Sequence, residues 1–171
     1  MSNKQNIYLI GFMGSGKSTV GRLLATAKKR KFIDLDRYIE NNHNKSISQL
    51  FESIGESEFR KIESEALQSL SIETDLIIAT GGGTPCNVQN REILQTGLVI
   101  YIQCNLKTLT DRLFLTKESR PLLNHCNTKT KLYSFIRSTM IKRKTCYEKF
   151  DIKMKNNKSP KVLIDNLLQL I

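Results

Sequence analysis

The chain of 171 residues contains no tryptophan, only three prolines and only two histidines. It has no apolar run of membrane-spanning length, and residues 1–6 lack the hydrophobic segment of a secretion signal. Its four cysteines lie about twenty residues apart without a Cys-x-x-Cys pair: Cys86, Cys104, Cys126 and Cys146. These absences argue against a zinc site, a disulfide framework and a membrane protein, and we expect the cysteines to fill core or surface space. We therefore expect one soluble, cytoplasmic domain over residues 1–171.

Acidic residues are also few. The chain has 16 aspartates and glutamates but 27 lysines and arginines, which gives a net charge of +11. Such an excess of positive charge could bind nucleic acid or anionic small substrates, or it could have no binding role. The basic clusters at residues 28–31, 142–144 and 153–158 have little aromatic interleaving on which bases could stack. We therefore expect solvated surfaces and no nucleic-acid partner.

One stretch near the N-terminus carries a specific chemical pattern. Residues Gly11 to Ser18 read Gly, any four residues, Gly-Lys-Ser, directly after the apolar run Ile7 to Ile10. Between a strand and a helix, this spacing predicts a P-loop whose backbone N–H groups surround a phosphate. Lys17 would neutralise the β- and γ-phosphates, and the Ser18 hydroxyl would take one position on Mg²⁺. The pattern therefore predicts a site for ATP and Mg²⁺.

Short apolar runs alternate with segments of helical periodicity along the whole chain. We predict strands at residues 7–10, 31–34, 76–79, 98–102 and 151–154. This alternation predicts an α/β fold in three layers, with a five-stranded parallel sheet flanked by helices. Ligands of such sheets bind beyond the carboxyl ends of the strands, so the residues that follow each strand are the candidates for a site.

Two of the predicted strands end in residues suited to substrate binding. Asp34 and Asp36 follow the second strand, and we expect both side chains to point the same way in an extended chain. A carboxylate at this edge could orient or deprotonate an acceptor hydroxyl, and Asp36 is our candidate. The third strand ends in the glycine run Gly81 to Gly83, which would let a ligand approach the backbone.

Two arginines and one loop complete the set of candidates. Arg60 lies one position off the apolar stripe of its helix, and local evidence alone favours an exposed, salt-bridging arginine there. The planar guanidinium groups of Arg60 and Arg143 would nevertheless suit a carboxylate on the substrate. The helical pattern disappears over residues 114–127, where a polar segment containing Arg120 predicts a lid that excludes water.

Six segments in order resemble the motif series of the shikimate kinase family. They are Gly11 to Ser18, Asp34-Leu35-Asp36, Phe59 to Glu63, Thr80 to Gly83, Arg120 to Leu123, and Arg143 followed by Tyr147. The resemblance implies transfer of the ATP γ-phosphoryl group to the 3-hydroxyl of shikimate on the route to chorismate and the aromatic amino acids. It also implies a monomer with a small substrate-binding helical part around residues 34–62 and a lid at 114–127.

The resemblance assigns roles by position. Asp36, Lys17 and Arg120 would be catalytic, and Asp36, Arg60, Gly82 and Arg143 would bind shikimate. The nucleotide would contact Gly14, Ser15, Gly16, Lys17, Ser18, Thr19, Arg112, Arg120 and Lys158, and Mg²⁺ would be held by Ser18 and, through water, by Asp34. Lys158 stands where the family often has arginine, which bears on nucleotide affinity more than on the chemistry.

Two other functions stay open at the level of sequence. A related P-loop kinase of a nucleoside monophosphate or of gluconate would be expected to carry more arginines in its lid than this chain does. A nucleotide-dependent RNA-binding module would show salt-sensitive RNA binding and release no ADP with any small acceptor.

Overall fold

The structure is a computed structural model that describes residues 5–116, 123, 126–150, 152–156 and 159–171. Strands and helices alternate along the chain. In order they are β1 (Ile7–Ile10), α1 (Lys17–Lys28), β2 (Lys31–Asp34), α2 (Leu35–His43), α3 (Ile47–Ile72), β3 (Leu76–Ala79), a 3₁₀ turn (Thr84–Cys86), α4 (Val88–Leu94), β4 (Leu98–Gln103), α5 (Leu106–Leu115), α6 (Lys129–Tyr147), β5 (Ile152–Lys155) and α7 (Pro160–Leu170).

The five strands form one parallel sheet in the order β2-β3-β1-β4-β5. In the centre Tyr8 pairs with Ile78 on one side and with Val99 on the other, and all residues of β1 and β3 are buried. Continuous burial is the mark of a parallel strand covered on both faces. The chain leaves β1 towards one edge, returns through β3 and then continues to β4, so the P-loop after β1 lies where the strand order reverses.

Alternate side chains of the strands pack into two separate cores, one on each face of the sheet. Tyr8 and Ile10 point into a core that α2, α3 and α4 cover, whereas Leu9 points into a core that α1 and α7 cover. This is the period-two alternation of a strand. The predicted three-layer α/β fold is therefore confirmed. Within the described residues, no helix is both long and apolar enough to cross a membrane.

The junction of β2 and α2 differs from the expected extended chain. The Asp34 carboxylate accepts a hydrogen bond from the backbone N–H of Arg37 at 3.4 Å and so caps α2, which begins at Leu35. An aspartate cap satisfies an otherwise unpaired N–H and favours the helix over continued extension. Asp36 therefore lies in the first turn of α2, and the prediction that Asp34 and Asp36 project from an extended segment is wrong.

Helix α3 carries a break at Gly55. Its first turn begins with a capping box, in which Ser46 and Gln49 bond to each other's backbone N–H groups. Gly55 has φ 77° and ψ 172°, so two helical segments meet there at a kink. A positive φ costs glycine little. Beyond the kink, Phe59 and Leu67 are buried and fix the face that carries Arg60.

The segment predicted as a lid lies mostly outside the described residues, and Arg120 lies there with it. Residues near both ends of the segment are described. Helix α5 continues to Leu115, and both Leu123 and Cys126 are buried in an apolar cluster that includes Phe12 of the P-loop. The lid itself stays a prediction.

Candidate active site

The P-loop wraps around the side chain of its own lysine. Gly14 and Gly16 adopt φ values of 76° and 96°, which bend the chain back upon itself before α1 begins at Lys17. The Lys17 ammonium group donates to the carbonyl oxygens of Gly11 at 2.8 Å and Phe12 at 3.0 Å. The loop therefore has the positive-φ glycines and the helix N-terminus expected of a phosphate-binding loop, and Thr19 continues α1 on its exposed side.

Two hard oxygen donors meet beside this loop. The Ser18 hydroxyl donates a hydrogen bond of 2.6 Å to the Asp34 carboxylate. A hydroxyl and a carboxylate next to a phosphate site suit Mg²⁺, which takes oxygen ligands and keeps several waters. The predicted pair of Ser18 and Asp34 is therefore together in the structure and has the right chemistry for that ion.

The glycine run after β3 is the point where the P-loop, a carboxylate and the two predicted arginines approach one another. A Cβ atom on Gly81 would lie 3.2 Å from Asp36 Oδ1. One on Gly82 would lie 3.3 Å from the Met13 backbone nitrogen and 3.4 Å from Arg143 Nη1, and one on Gly83 would lie 2.9 Å from Arg60 Nη2. The bare glycine backbone here lets these groups approach closely, at distances that a Cβ atom would obstruct.

The Asp36 carboxylate has the electrostatics of a base that works near neutral pH. Burial, followed by the negative charges of Asp34 and Glu63, raises its pKa from 3.8 to about 6, although the charge of Lys17 acts in the opposite direction. A carboxylate with such a pKa is largely ionised at pH 7 and is a stronger base than an ordinary aspartate. It can therefore accept the proton of an alcohol while that alcohol attacks phosphorus.

Two carboxylates hold the Arg60 side chain in place, and it is largely shielded from solvent. Its guanidinium group bonds to Glu63 at 3.0 Å and to Glu56 at 2.9 Å. Glu63 is only 1% exposed and also accepts a hydrogen bond of 2.8 Å from the Thr84 hydroxyl. Sequence reasoning assigned no role to Glu63, although a carboxylate on the apolar stripe with Phe59 was a signal. The arrangement fixes one face of the guanidinium group against the glycine run.

Arg143 and Tyr147 reach the glycine run from α6. Arg143 Nη1 donates to the Gly82 carbonyl oxygen at 3.1 Å, and the Tyr147 hydroxyl donates to the same oxygen. Tyr147 is buried, stacks on Tyr101 with ring centroids 5.1 Å apart, and has a pKa well above its ordinary value because of burial. Tyr147 is thus a further positioning group, and its place four residues after Arg143 was the signal for it.

The far side of the P-loop is supported by two residues. Arg112 Nη1 donates to the Gly14 carbonyl oxygen at 3.2 Å, which places this predicted nucleotide contact at the loop. Asn156 is buried and donates from Nδ2 to the Ser15 carbonyl oxygen at 2.7 Å. Sequence reasoning missed Asn156, which lies in a polar segment with no local signal. Lys158, the other predicted contact, lies outside the described residues.

At one sheet edge lie a P-loop, a hydroxyl bonded to a carboxylate, a second carboxylate and two guanidinium groups, and this set of groups fits an ATP-dependent kinase of the P-loop class that acts on a small acidic alcohol. Comparison with known proteins identifies the kinase family within this class. Residues 13–171 match the family model described as shikimate kinase. The chain therefore belongs to the shikimate kinase family, and its activity is that of an ATP-dependent shikimate kinase.

Individual relatives agree with the family model. Shikimate kinase from Parabacteroides distasonis is 39% identical over 149 residues, which are 86% of this chain and 86% of that protein. The crystal structure of shikimate kinase from Bacteroides thetaiotaomicron has a TM-score of 0.92 at 31% identity and covers 97% of both chains. Shikimate kinase from Acinetobacter baumannii in complex with shikimate has a TM-score of 0.89 at 36% identity, over 98% of this chain and 93% of that one.

Proposed function

We propose that the chain phosphorylates the 3-hydroxyl of shikimate at the glycine run after β3, with ATP held on one side by Lys17 and the sugar-like ring held on the other by Asp36. The products are 3-phosphoshikimate and ADP. The single observation that carries this assignment is the approach of Asp36, Arg143 and Arg60 to three consecutive glycines, of which Gly82 also lies beside the P-loop backbone.

The nucleotide side of the reaction uses the P-loop and its supports. Residues 14–19 would surround the phosphates with backbone N–H groups, and Arg112 and Lys158 would flank the adenine. Ser18 and Asp34, already joined by a 2.6 Å hydrogen bond, would hold Mg²⁺, the latter through water. When bound, the ion neutralises charge on the phosphate oxygens.

The acceptor side uses the groups around the glycine run. Arg60 and Arg143 would bind the shikimate carboxylate, since guanidinium groups match a carboxylate in two parallel hydrogen bonds. Gly82 would add a backbone contact. Asp36 would hold the ring hydroxyls and orient the 3-hydroxyl, because its carboxylate stands beside Gly81 at the mouth of the sheet.

Phosphoryl transfer then needs one bond to form and one to break. The 3-hydroxyl oxygen bonds to the γ-phosphorus, the bond to the oxygen bridging the β- and γ-phosphorus atoms breaks, and Asp36 takes the hydroxyl proton. Lys17 and Arg120 would neutralise the charge that develops on the transferring oxygens. The segment at residues 114–127 would exclude water, which otherwise competes with the hydroxyl as acceptor.

We further propose a monomer that works in the cytoplasm without nucleic acid. Support for a monomer comes from the resemblance to the shikimate kinase family, which implies a small kinase that is usually monomeric. Light scattering of the purified protein during size-exclusion chromatography would test this.

A coupled ADP-release assay with shikimate, gluconate and AMP side by side tests the function. We expect turnover with shikimate to exceed turnover with the other two acceptors by orders of magnitude, because neither of them presents a carboxylate and a ring hydroxyl in the same geometry. Equal turnover with gluconate or AMP would refute the assignment. ATP with no acceptor gives the background of hydrolysis by water.

A further inference from the structure

Two of the four cysteines lie at the edge of the shikimate site. Cys86 is the last residue of the 3₁₀ turn that follows the glycine run, and Cys146 lies in the last turn of α6. Both are partly buried, so small molecules in solution can reach them, whereas Cys104 and Cys126 are buried. The chemistry proposed above uses neither Cys86 nor Cys146.

The packing of α6 brings these two cysteines face to face. Arg143 and Tyr147 both bond to the Gly82 carbonyl oxygen, so this face of α6 lies against the glycine run and the 3₁₀ turn. Cys146 comes three residues after Arg143 and therefore shares that face of the helix. The Cys86 backbone N–H donates to the Gly83 carbonyl oxygen at 2.9 Å, which fixes Cys86 on the opposite side of the contact.

The electrostatics of Cys86 agree with direct contact between the two thiols. Burial raises the pKa of the Cys86 thiol to about 12, and hydrogen bonding to and charge interaction with the Cys146 thiol add to the rise, while Arg143 and Arg60 act against it. A protonated Cys86 can thus donate to the sulfur of Cys146. Cys146 is the member of the pair that we expect to react first, since the raised pKa of Cys86 keeps the Cys86 thiol protonated.

We propose that Cys86 and Cys146 form a redox-modification site, which a hydroperoxide converts into a disulfide that ties α6 to the 3₁₀ turn beside the carboxylate-binding Arg143. The thiolate of Cys146 attacks one oxygen of the peroxide, the O–O bond breaks, and the sulfur becomes a sulfenic acid while the other oxygen takes a proton from solvent and leaves as water or an alcohol. Cys86 then loses its proton and attacks the sulfenic sulfur, and a water molecule leaves. Two thiols are oxidised for one peroxide reduced.

The disulfide between Cys86 and Cys146 would weaken the binding of shikimate. A disulfide holds its sulfurs closer together than two thiols in contact, so the last turn of α6 and the 3₁₀ turn must shift towards each other. The guanidinium group of Arg143 and the hydroxyl of Tyr147 meet the Gly82 carbonyl within the same contact. We therefore expect oxidation to raise the KM for shikimate by about threefold or more and to leave the KM for ATP nearly unchanged. This effect on activity rests on the proposed role of Arg143, whereas formation of the bond does not.

The experiment treats the full chain with hydrogen peroxide, alkylates the remaining thiols and maps the peptides without reduction. We expect one major cross-link, Cys86 to Cys146, with two of the four thiols still alkylated, and reversal by dithiothreitol. The link should be lost in Cys86→Ser and in Cys146→Ser and retained in Cys126→Ser, the matched control. In the assay, oxidised wild type should show the raised KM for shikimate, and oxidised Cys86→Ser should not.

Two outcomes would overturn the proposal. A different major cross-link in the oxidised wild type, or none, would remove the site, and this readout needs no variant and no kinase activity. A complete Cys86 to Cys146 link with an unchanged KM for shikimate would remove the control over substrate binding. Failure of the kinase assignment would be visible separately, as absence of ADP release from shikimate by the reduced protein.

Discussion

The Asp36 carboxylate lies within electrostatic reach of the Lys17 ammonium group, whose positive charge offsets part of the rise in the pKa of Asp36. They come from different helices, Lys17 from the start of α1 and Asp36 from the first turn of α2. The Ser18 to Asp34 hydrogen bond joins the two helix starts. A phosphate at Lys17 and a hydroxyl at Asp36 would therefore meet above the same edge of the sheet.

The first prediction concerns the base. Asp36→Asn keeps the size of the side chain but removes its ability to accept a proton. We expect kcat to fall by about 100-fold or more, while the affinity for ATP stays nearly the same because Asp36 does not belong to the P-loop. Steady-state kinetics and a nucleotide titration would measure the two effects. Unchanged turnover would remove Asp36 from the mechanism.

The second prediction is the pH dependence of this base. Because the pKa of Asp36 is about 6, lowering the pH through that value protonates the carboxylate in enzyme that has not yet bound shikimate. We expect kcat/KM for shikimate to fall about tenfold for each pH unit below 6. The profile is measured from pH 4.5 to pH 8 at saturating ATP. The residual activity of Asp36→Asn should lack this limb, and a limb of the same shape in that variant would assign it to another group.

The raised pKa of Asp36 also predicts how the stability of the fold depends on pH. The direction is opposite to that of activity, because stability falls as the pH rises. The unfolded chain releases the Asp36 proton near pH 3.8 and the folded chain near pH 6, so the contribution to stability is complete below 3.8 and is lost as the pH rises through 6. Above that pH, Asp36→Asn should unfold with a free energy on the order of 2 kcal/mol higher than wild type, discounted for partial exposure of the carboxylate. Urea melts at pH 4 and pH 8 should show the difference only at pH 8.

The features that follow from short, contiguous sequence patterns were predictable. The P-loop and the buried run Leu76–Ala79 are contiguous patterns, and the structure has both at the expected residues. Asp36 was placed at the correct edge of the sheet for a partly wrong reason. The Asp34 side chain caps the following helix, and the choice between a cap and one more extended residue is decided by a single hydrogen bond.

The groups that sequence reasoning missed depend on distant partners. Asn156 bonds to Ser15 across 141 positions of sequence, and nothing near Asn156 indicates that contact. Glu63 has one partner nearby, Arg60, but its burial depends on Thr84 and the glycine run. A glutamate three residues after an arginine is usually a solvated pair, so only the packing of α3 against the glycine run distinguishes this one.

The fourth prediction tests Glu63 as the group that positions Arg60. Glu63→Gln retains the shape but removes the charge opposite the guanidinium group, so we expect the KM for shikimate to rise about tenfold with little change in the KM for ATP. Because the charge of Glu63 also raises the pKa of Asp36, the acid limb of kcat/KM should move to lower pH. A loss of packing alone would not move that limb.

The matched control for this variant is Glu56→Gln. Glu56 bonds to the same guanidinium group at 2.9 Å, but its side chain is 67% exposed. Water replaces an exposed partner at little cost, so both KM values should stay within about twofold of wild type. Equal effects of the two substitutions on the KM for shikimate would contradict a special role for the buried carboxylate.

The last prediction concerns the nucleotide side of the site, where Asn156 supports the P-loop. Its Nδ2 atom donates to the Ser15 carbonyl oxygen at 2.7 Å, and a carboxylate in Asn156→Asp would face that oxygen without a proton to donate. We expect the KM for ATP to rise about tenfold and the KM for shikimate to change little, the reverse of Glu63→Gln. Asn87→Asp is the control, because Asn87 caps α4 through its oxygen and an aspartate caps equally well. Equal changes in both KM values of Asn156→Asp, with a lowered Tm, would indicate general loss of structure rather than support of the loop.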